Sequence, residues 1–190
     1  MRFLVILYVL MRSGFATKMG KDGRTESSVD VKYLAKSEVD RVADTTRTEV
    51  MDGLMLIADK LYKRNPKEWK KAGMASREAA LERLRNRFYR NLPELGGLRE
   101  GQAASLAFTE TYTGDRVAAL MLGLLTMADA AFEHRAEFFL LDTLNEQKLF
   151  NCARNMEVAV WKLGNDRNAA GELYLLSNEL DPANRNLSFE

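Results

Sequence analysis

Cysteine and histidine are almost absent from this chain. Its 190 residues include one of each, Cys152 and His134, which excludes an intrachain disulfide and any site that needs two imidazole groups. The chain also lacks a phosphate-binding loop, a glycine-rich dinucleotide fingerprint, paired cysteines at metal-ligand spacing and the G-x-S-x-G turn of hydrolases. The sequence therefore predicts no catalytic residue, no metal site and no cofactor.

Long hydrophobic runs are missing as well. The longest unbroken apolar stretch covers the nine residues 3–11, whereas a membrane-spanning helix needs about 20. We therefore expect no transmembrane span in the mature chain.

Residues 1–16 have the composition of a secretory signal. Arg2 supplies a positive start, the apolar run follows, and Gly14 and Ala16 are small residues of the kind that signal peptidase selects. We expect 1–16 to be a signal-peptide-like segment, and we expect the mature protein in the periplasm or at the outer-membrane periphery. The alternative is a cytoplasmic protein whose first eleven residues belong to the core.

The six residues from Ser13 to Lys18 resemble the start of a bacterial lipoprotein, in which a small-residue pair precedes a lipidated cysteine and short polar residues follow. Phe15 occupies the position of that cysteine, and Arg12 replaces the small or aliphatic residue expected three places earlier. The resemblance implies a helical protein of the bacterial envelope. Phe15 excludes acylation at this position.

After Ser37, apolar residues recur at three- and four-residue steps, which is typical of amphipathic helices. With 46% apolar and 29% charged residues, the chain can bury one sizeable core. We predict an all-α fold, an irregular bundle of about six helices, with stacked helical hairpins as one arrangement. Residues 17–36 are expected to form a flexible lead-in, and 37–190 a single helical domain with a truncated C-terminus.

Capping residues and breakers set the predicted helix bounds. The helices run over 37–65, 76–89, 102–108, 117–132, 143–164 and 166–181. The fourth is apolar almost all round, which predicts a central position in the bundle. The fifth should face inward with Leu149, Ala153, Met156, Val160 and Leu163, and the sixth with Leu173, Leu176 and Leu180.

Carboxylates around the single histidine offer a rival interpretation, a helical-bundle enzyme with a metal. Asp129, Glu133 and Glu137 would share one face of a continued helix, with His134 one turn from Glu137. Glu110 is a further candidate. The Glu-x-x-His spacing of di-iron bundles is absent. A solvated acidic face near a helix end accounts for the same residues, and we favour binding over catalysis.

Positive charge is concentrated between Asp59 and Arg90, where eleven basic residues stand against four acidic ones. Such a surface can bind an acidic protein, an anionic lipid or polymer, or nucleic acid, and export would argue against nucleic acid. Solvated helix faces that cover apolar surface with lysine and arginine stems would carry the same charges. The predicted basic binding surface consists of Lys60, Lys63, Arg64, Lys67, Trp69 and Lys70.

A polar connection with one aromatic residue precedes the central helix. Loops held on a rigid scaffold are common places for recognition, and helix capping by Thr113 or Asp115 is the alternative role. The predicted binding residues of this loop are Thr109, Glu110, Tyr112 and Asp115.

Together these features predict an exported, non-catalytic helical protein of the bacterial cell envelope that binds a protein partner or an anionic envelope surface. The metal enzyme described above is one alternative. A cytosolic helical adaptor is another, because Ala170, Tyr174, Ser177 and Pro182 match the spacing of half a tetratricopeptide unit. Leu54, Ala58, Leu61 and Pro66 echo the same spacing.

Overall fold

The computed structural model describes residues 15–19, 25–29, 38–87, 92–139, 142 and 144–177. The described residues fall into two compact units, one within 1–45 and 136–143 and the other within 46–135 and 144–190. Most of the described chain is α-helical, and its hydrophobic core is built by packed helices. The predicted all-α helical bundle is confirmed.

Six α-helices follow one another along the described chain. They are α1 (Glu38–Arg64), α2 (Pro66–Lys71), α3 (Arg77–Arg87), α4 (Glu100–Leu106), α5 (Arg116–Ala131) and α6 (Glu146–Asn165), with a 3₁₀ turn at Pro93–Leu95. None of those within the described ranges is long and apolar enough to cross a membrane.

Local signals place several helix ends correctly. α1 stops one residue before Asn65, as Pro66 requires. Ser76 caps α3 as predicted, since its Oγ accepts a hydrogen bond from the amide of Ala79 at 3.1 Å. The short helix α2 was not predicted; Pro66 is its first residue, a position that needs no N–H donor.

A β-hairpin lies ahead of the helices. Strands β1 (Phe15–Met19) and β2 (Thr25–Val29) pair antiparallel, with Phe15 opposite Val29 and Met19 opposite Thr25. The hairpin falls largely in 17–36, where the sequence predicts a flexible lead-in. The predicted cleavage point after Ala16 lies inside β1, whereas the rest of the signal-like segment lies outside the described residues.

Helix α6 differs from its prediction at its start and along its face. Its cap is Asn145, whose Oδ1 accepts from the amide of Lys148 at 3.1 Å, whereas the expected cap, Thr143, lies outside the described residues. Ala153 and Val160 are exposed, contrary to the predicted stripe, and Cys152 and Ala159 are buried instead. Leu149, Met156 and Leu163 pack on the core as predicted, so the predicted stripe is wrong at Ala153 and Val160 only.

The sixth predicted helix is wrong over 166–177. In place of a helix, Arg167 and Leu173 form an isolated antiparallel bridge. The side chain of Asn168 accepts hydrogen bonds from the amides of Ala170 and Glu172, so it closes a turn in competition with helix formation. Ala170, Tyr174 and Ser177 consequently do not lie on a helix as the tetratricopeptide spacing requires, and Leu180 and Pro182 lie outside the described residues.

Helix α5 occupies the centre of the core. Every residue from Val117 to Asp129 is buried, which confirms the position predicted from its uniformly apolar composition. It contacts α2, α3, α4 and α6. An amphipathic helix would leave one face exposed, so this helix is built to be covered on all sides.

Helices α4 and α5 approach closely at Gly123. A Cβ atom at this position would collide with Ala104 and would lie 2.6 Å from the carbonyl oxygen of Glu100. The same crossing is fastened by Thr126, whose buried hydroxyl accepts from the amide of Glu100 at 2.8 Å. Glycine is therefore required at 123 for contact between backbones.

We expect Gly123→Ala to destabilise the fold by about 1–3 kcal/mol, because the methyl group overpacks a crossing made of backbone atoms. Gly53→Ala is the matched control. It is also a helical glycine, and it has open space around its Cβ position, so alanine there should stabilise by about 0.5–1 kcal/mol. Urea unfolding followed by circular dichroism measures both. Equal effects of the two substitutions would contradict the close crossing.

Candidate functional site

The N-terminus of α5 is held by a buried carboxylate. Asp115 is 2% exposed, accepts a hydrogen bond from the amide of Ala118 at 2.9 Å and accepts another from the hydroxyl of Tyr62 at 2.8 Å. Capping by Asp115 is thus confirmed. Its predicted place in a binding surface is wrong, because the side chain is buried.

Burial also changes the acidity of this pair. It raises the pKa of Asp115 above the ordinary range, although the hydrogen bonds from Ala118 and Tyr62 act in the opposite direction. Burial and the neighbouring Asp115 carboxylate together raise the pKa of Tyr62 far above its usual value. The phenol is therefore a fixed donor at neutral pH.

Asp115→Ala should lower the free energy of unfolding by about 2–3 kcal/mol at pH 7, because it removes a helix cap and leaves the buried Tyr62 hydroxyl without its acceptor. Asp115→Asn keeps an acceptor for Ala118 and should cost less. Urea unfolding curves measure both. Equal losses for the two variants would contradict the capping role.

The raised pKa of Asp115 gives this comparison a pH dependence. A carboxyl whose pKa is higher in the folded state stabilises the fold most fully below its unfolded pKa of about 3.9. That contribution is lost as the pH rises through the folded pKa. Asparagine does not titrate, so the stability of Asp115→Asn relative to the natural protein should increase from pH 4 to pH 7.

A second carboxylate reaches the same helix end from α2. Glu68 is 6% exposed, accepts from the backbone amide of Arg116 at 2.9 Å and pairs with the ammonium of Lys71 at 2.7 Å. Together with Asp115, it places negative charge where the dipole of α5 is positive. We call Tyr62, Glu68, Asp115 and Arg116 the α5 cap cluster.

The guanidinium of Arg116 fastens the predicted binding loop to this cluster. It donates to the carbonyls of Ala107 and Thr109 at 2.9 Å and to that of Tyr112 at 2.7 Å. The hydroxyl of Thr109 donates to the carbonyl of Ser105 at 3.1 Å. Thr109 and Tyr112 are thus engaged in holding the loop itself.

Glu110 is exposed, and its side chain connects the loop to the segment after α6. Its carboxylate accepts from the hydroxyl of Tyr174 at 2.8 Å and from the amide of Ala169 at 3.3 Å. Arg116 lies over the ring of Tyr174, 4.8 Å from its centroid. The loop therefore supports the segment from Ala169 to Tyr174.

The predicted basic surface lies on the end of α1 and on α2. Lys63, Lys67 and Lys70 are exposed, and none of the three pairs with a carboxylate within the described part of the chain. Asp59 forms an ion pair with Arg77 at 3.2 Å. The side chain of Glu68 is buried. These two acidic residues therefore pair with other basic residues of the segment and not with the three exposed lysines.

The aromatic residues of this segment contribute little to the basic surface. Tyr62 is buried, and Trp69 packs partly against the hydrophobic core with the ammonium of Lys70 5.4 Å from its ring centroid. Lys60 and Arg64 are half-buried. Phe88 and Tyr89 lie outside the described residues.

A groove of about 510 Å³ opens beside the basic surface. Its cationic lining comes from Arg64, Lys67 and Arg167, and its apolar lining includes Leu173, Tyr174 and Leu176. Two acidic residues, Glu68 and Glu172, also line it. We call this feature the basic groove. It joins part of the predicted basic surface to the segment after α6, for which the sequence predicts a helix.

The side chain of Asn65 holds Leu176, which lines the basic groove, in place. The carboxamide of Asn65 donates to the carbonyl of Leu176 at 2.9 Å and accepts from the amide of Leu176 at 2.8 Å. This pair of bonds imitates a bridge between two strands. The sequence indicates Asn65 only as a helix end, because no local pattern reveals a contact between residues 111 positions apart.

The predicted acidic face around His134 is wrong. α5 ends at Ala131, and Glu133 and His134 adopt left-handed φ angles of 56° and 57°, so Asp129, Glu133 and Glu137 do not continue one helix. The turn is closed by the amide of His134, which donates to the carbonyl of Asp129 at 2.8 Å. No three His, Cys, Asp or Glu side chains of the described residues could hold a metal ion.

Asp129 and His134 nevertheless meet. Nδ1 of His134 lies 2.7 Å from the buried carboxylate of Asp129, which also pairs with Arg47 at 3.1 Å. A cavity of about 450 Å³ beside them includes Lys148 and Cys152 in its lining. Burial and the charge of Glu100 raise the pKa of the Cys152 thiol, so it is protonated at neutral pH and is not an activated nucleophile.

Comparisons with protein-family models, curated proteins and solved structures give no match for this chain.

Proposed function

We propose that this chain is a non-catalytic binding protein of the bacterial cell envelope, and that it takes an acidic segment of a partner protein into the basic groove. The observation that supports this proposal is the meeting of three cationic side chains with apolar side chains around one concavity. Its volume lies within the range of sites that enclose a ligand.

The chemistry of the lining suits carboxylates flanking apolar side chains. A guanidinium offers five donors in a planar fork, and Arg167 gives one of them to the carbonyl of Gly171 at 3.0 Å. Lys67 adds a compact charge at the exposed start of α2. Leu173 and Leu176 provide apolar contact between these charges.

Concavity favours a protein segment over a flat anionic surface. An extended chain can enter a groove and contact both walls, whereas headgroups of a lipid bilayer would meet chiefly the outward lysines. The position of Leu176 on the groove lining also depends on Asn65, which is an uncharged residue. The two kinds of partner therefore make different demands on the protein.

The envelope location rests on the sequence of residues 1–16, which is typical of export. A mature chain that begins at Thr17 would retain the part of β1 from Thr17 to Met19. Intact mass of the protein recovered from periplasmic and cytosolic fractions tests this part of the proposal. Uncleaved protein confined to the cytosol would overturn it.

Binding of the partner segment can be measured with a fluorescent probe peptide in which two leucines are flanked by glutamates. The variant K63E/R64E/K67E should raise the Kd of this peptide by at least about tenfold, because attraction becomes repulsion. R41E/R85E/K148E changes the net charge equally at exposed residues that are not part of the groove lining, and it should bind nearly as well as the natural protein.

Two further measurements separate groove binding from general attraction. Asn65→Ala keeps every basic residue but removes both bonds to Leu176, so it should weaken peptide binding and leave binding to anionic vesicles unchanged. A probe with glutamine in place of glutamate should bind weakly. Equal affinity for the two peptides, or strong binding to anionic vesicles alone, would overturn the proposal.

A further inference from the structure

The outer face of α6 exposes two large aromatic side chains. Phe150 is 65% exposed and Trp161 is 60% exposed, three helical turns apart. The opposite face, with Cys152, Ala159 and Leu163, is buried in the core. Aromatic side chains this accessible on one line of a helix mark a surface that another molecule can cover.

These aromatics belong to a regular seam. The exposed residues of this face follow one another at steps of three and four, the spacing of a coiled-coil contact. The seam consists of Gln147, Phe150, Arg154, Glu157, Trp161 and Gly164. At 1.5 Å per residue, Phe150 and Trp161 lie about 16 Å apart along the helix axis.

The seam is self-complementary when it is read in the opposite direction. A two-fold axis midway between Arg154 and Glu157 places Arg154 opposite Glu157 of a second copy. The same axis places Phe150 opposite Trp161 of that copy, and the reverse pairs follow by symmetry. Gly164, which has open space around its Cβ position, then faces Gln147.

The charges on the seam also decide between the two orientations of a helix pair. In an antiparallel pair, Arg154 of each copy faces Glu157 of the other. In a parallel pair, Arg154 would face Arg154 and Glu157 would face Glu157, which is repulsive.

We propose that this chain forms an antiparallel dimer through the outer face of α6, with a second copy of the chain as the partner. Within one chain, Arg154 and Glu157 pair at 2.6 Å, but both are more than 60% exposed, so this bond contributes little to folding. In the dimer the same two groups form two symmetric pairs between copies, with an aromatic contact at each end.

Sedimentation equilibrium of the full chain over a wide concentration range should show reversible dimers. Glu157→Arg should raise the dimer Kd by about tenfold or more, since each substitution counts twice across the axis. Arg154→Glu should do the same. The double variant R154E/E157R should restore dimerisation, because the pairs are reversed but intact. Circular dichroism verifies that each variant is folded.

An equimolar mixture of the two single variants provides the sharpest test. One variant then carries two positive charges on the seam and the other carries two negative ones, so they should form a heterodimer more tightly than either forms a homodimer.

The variant F150S/W161S should be monomeric, whereas Leu56→Ser, at a residue that is 56% exposed on α1, should dimerise normally.

Monomeric natural protein at every concentration would overturn the proposal. Dimers that persist unchanged in Glu157→Arg and in F150S/W161S would also overturn it, since they would show that another surface is used. Loss of dimerisation leaves the basic groove intact, so peptide binding by F150S/W161S separates this proposal from the proposed function.

Discussion

The described structure depends on how the N-terminus of a buried helix is satisfied. The first amide groups of α5 have no partners within the helix. Because α5 is covered along its length, those groups must find acceptors inside the protein. Asp115 supplies one from the chain just before the helix, and Glu68 supplies another from α2. Both carboxylates are therefore buried together with the helix end that they cap.

The same cluster links the core to the basic groove. Arg116 begins α5, donates its backbone N–H to Glu68 and directs its guanidinium to the loop after α4. That loop carries Glu110, which binds Tyr174 on the lining of the groove. Glu68 thus serves the core as an acceptor for Arg116, and it also lines the basic groove, where it pairs with Lys71 rather than with Lys63, Lys67 or Lys70.

The features predicted from sequence are those that local chemistry determines. Pro66 ended α1, Asp115 capped α5, and a uniformly apolar composition placed α5 at the centre. The face of α6 was predicted correctly at Leu149, Met156 and Leu163 but not between them, because Cys152 and Ala153 are both small and gave no clear choice of the inward side. The segment around residue 60 is highly charged and rich in lysine. That composition could not reveal that the side chain of Glu68 is buried.

The candidate site was only partly predictable for a different reason. Its walls are joined by hydrogen bonds between residues far apart in the chain, Asn65 with Leu176 and Glu110 with Tyr174. The segment after α6 has apolar residues at helical spacing, yet the turn made by Asn168 and these distant bonds hold it in an irregular form. Such tertiary contacts override the local pattern that favours a helix.

The position of Asn65 directly before Pro66 has a consequence for the lifetime of the protein. Asparagine commonly loses its carboxamide when the backbone nitrogen of the following residue attacks the side chain. Proline has no backbone N–H, so this route of chemical ageing is closed at Asn65. The carboxamide that holds Leu176 is therefore protected by the same proline that ends the helix.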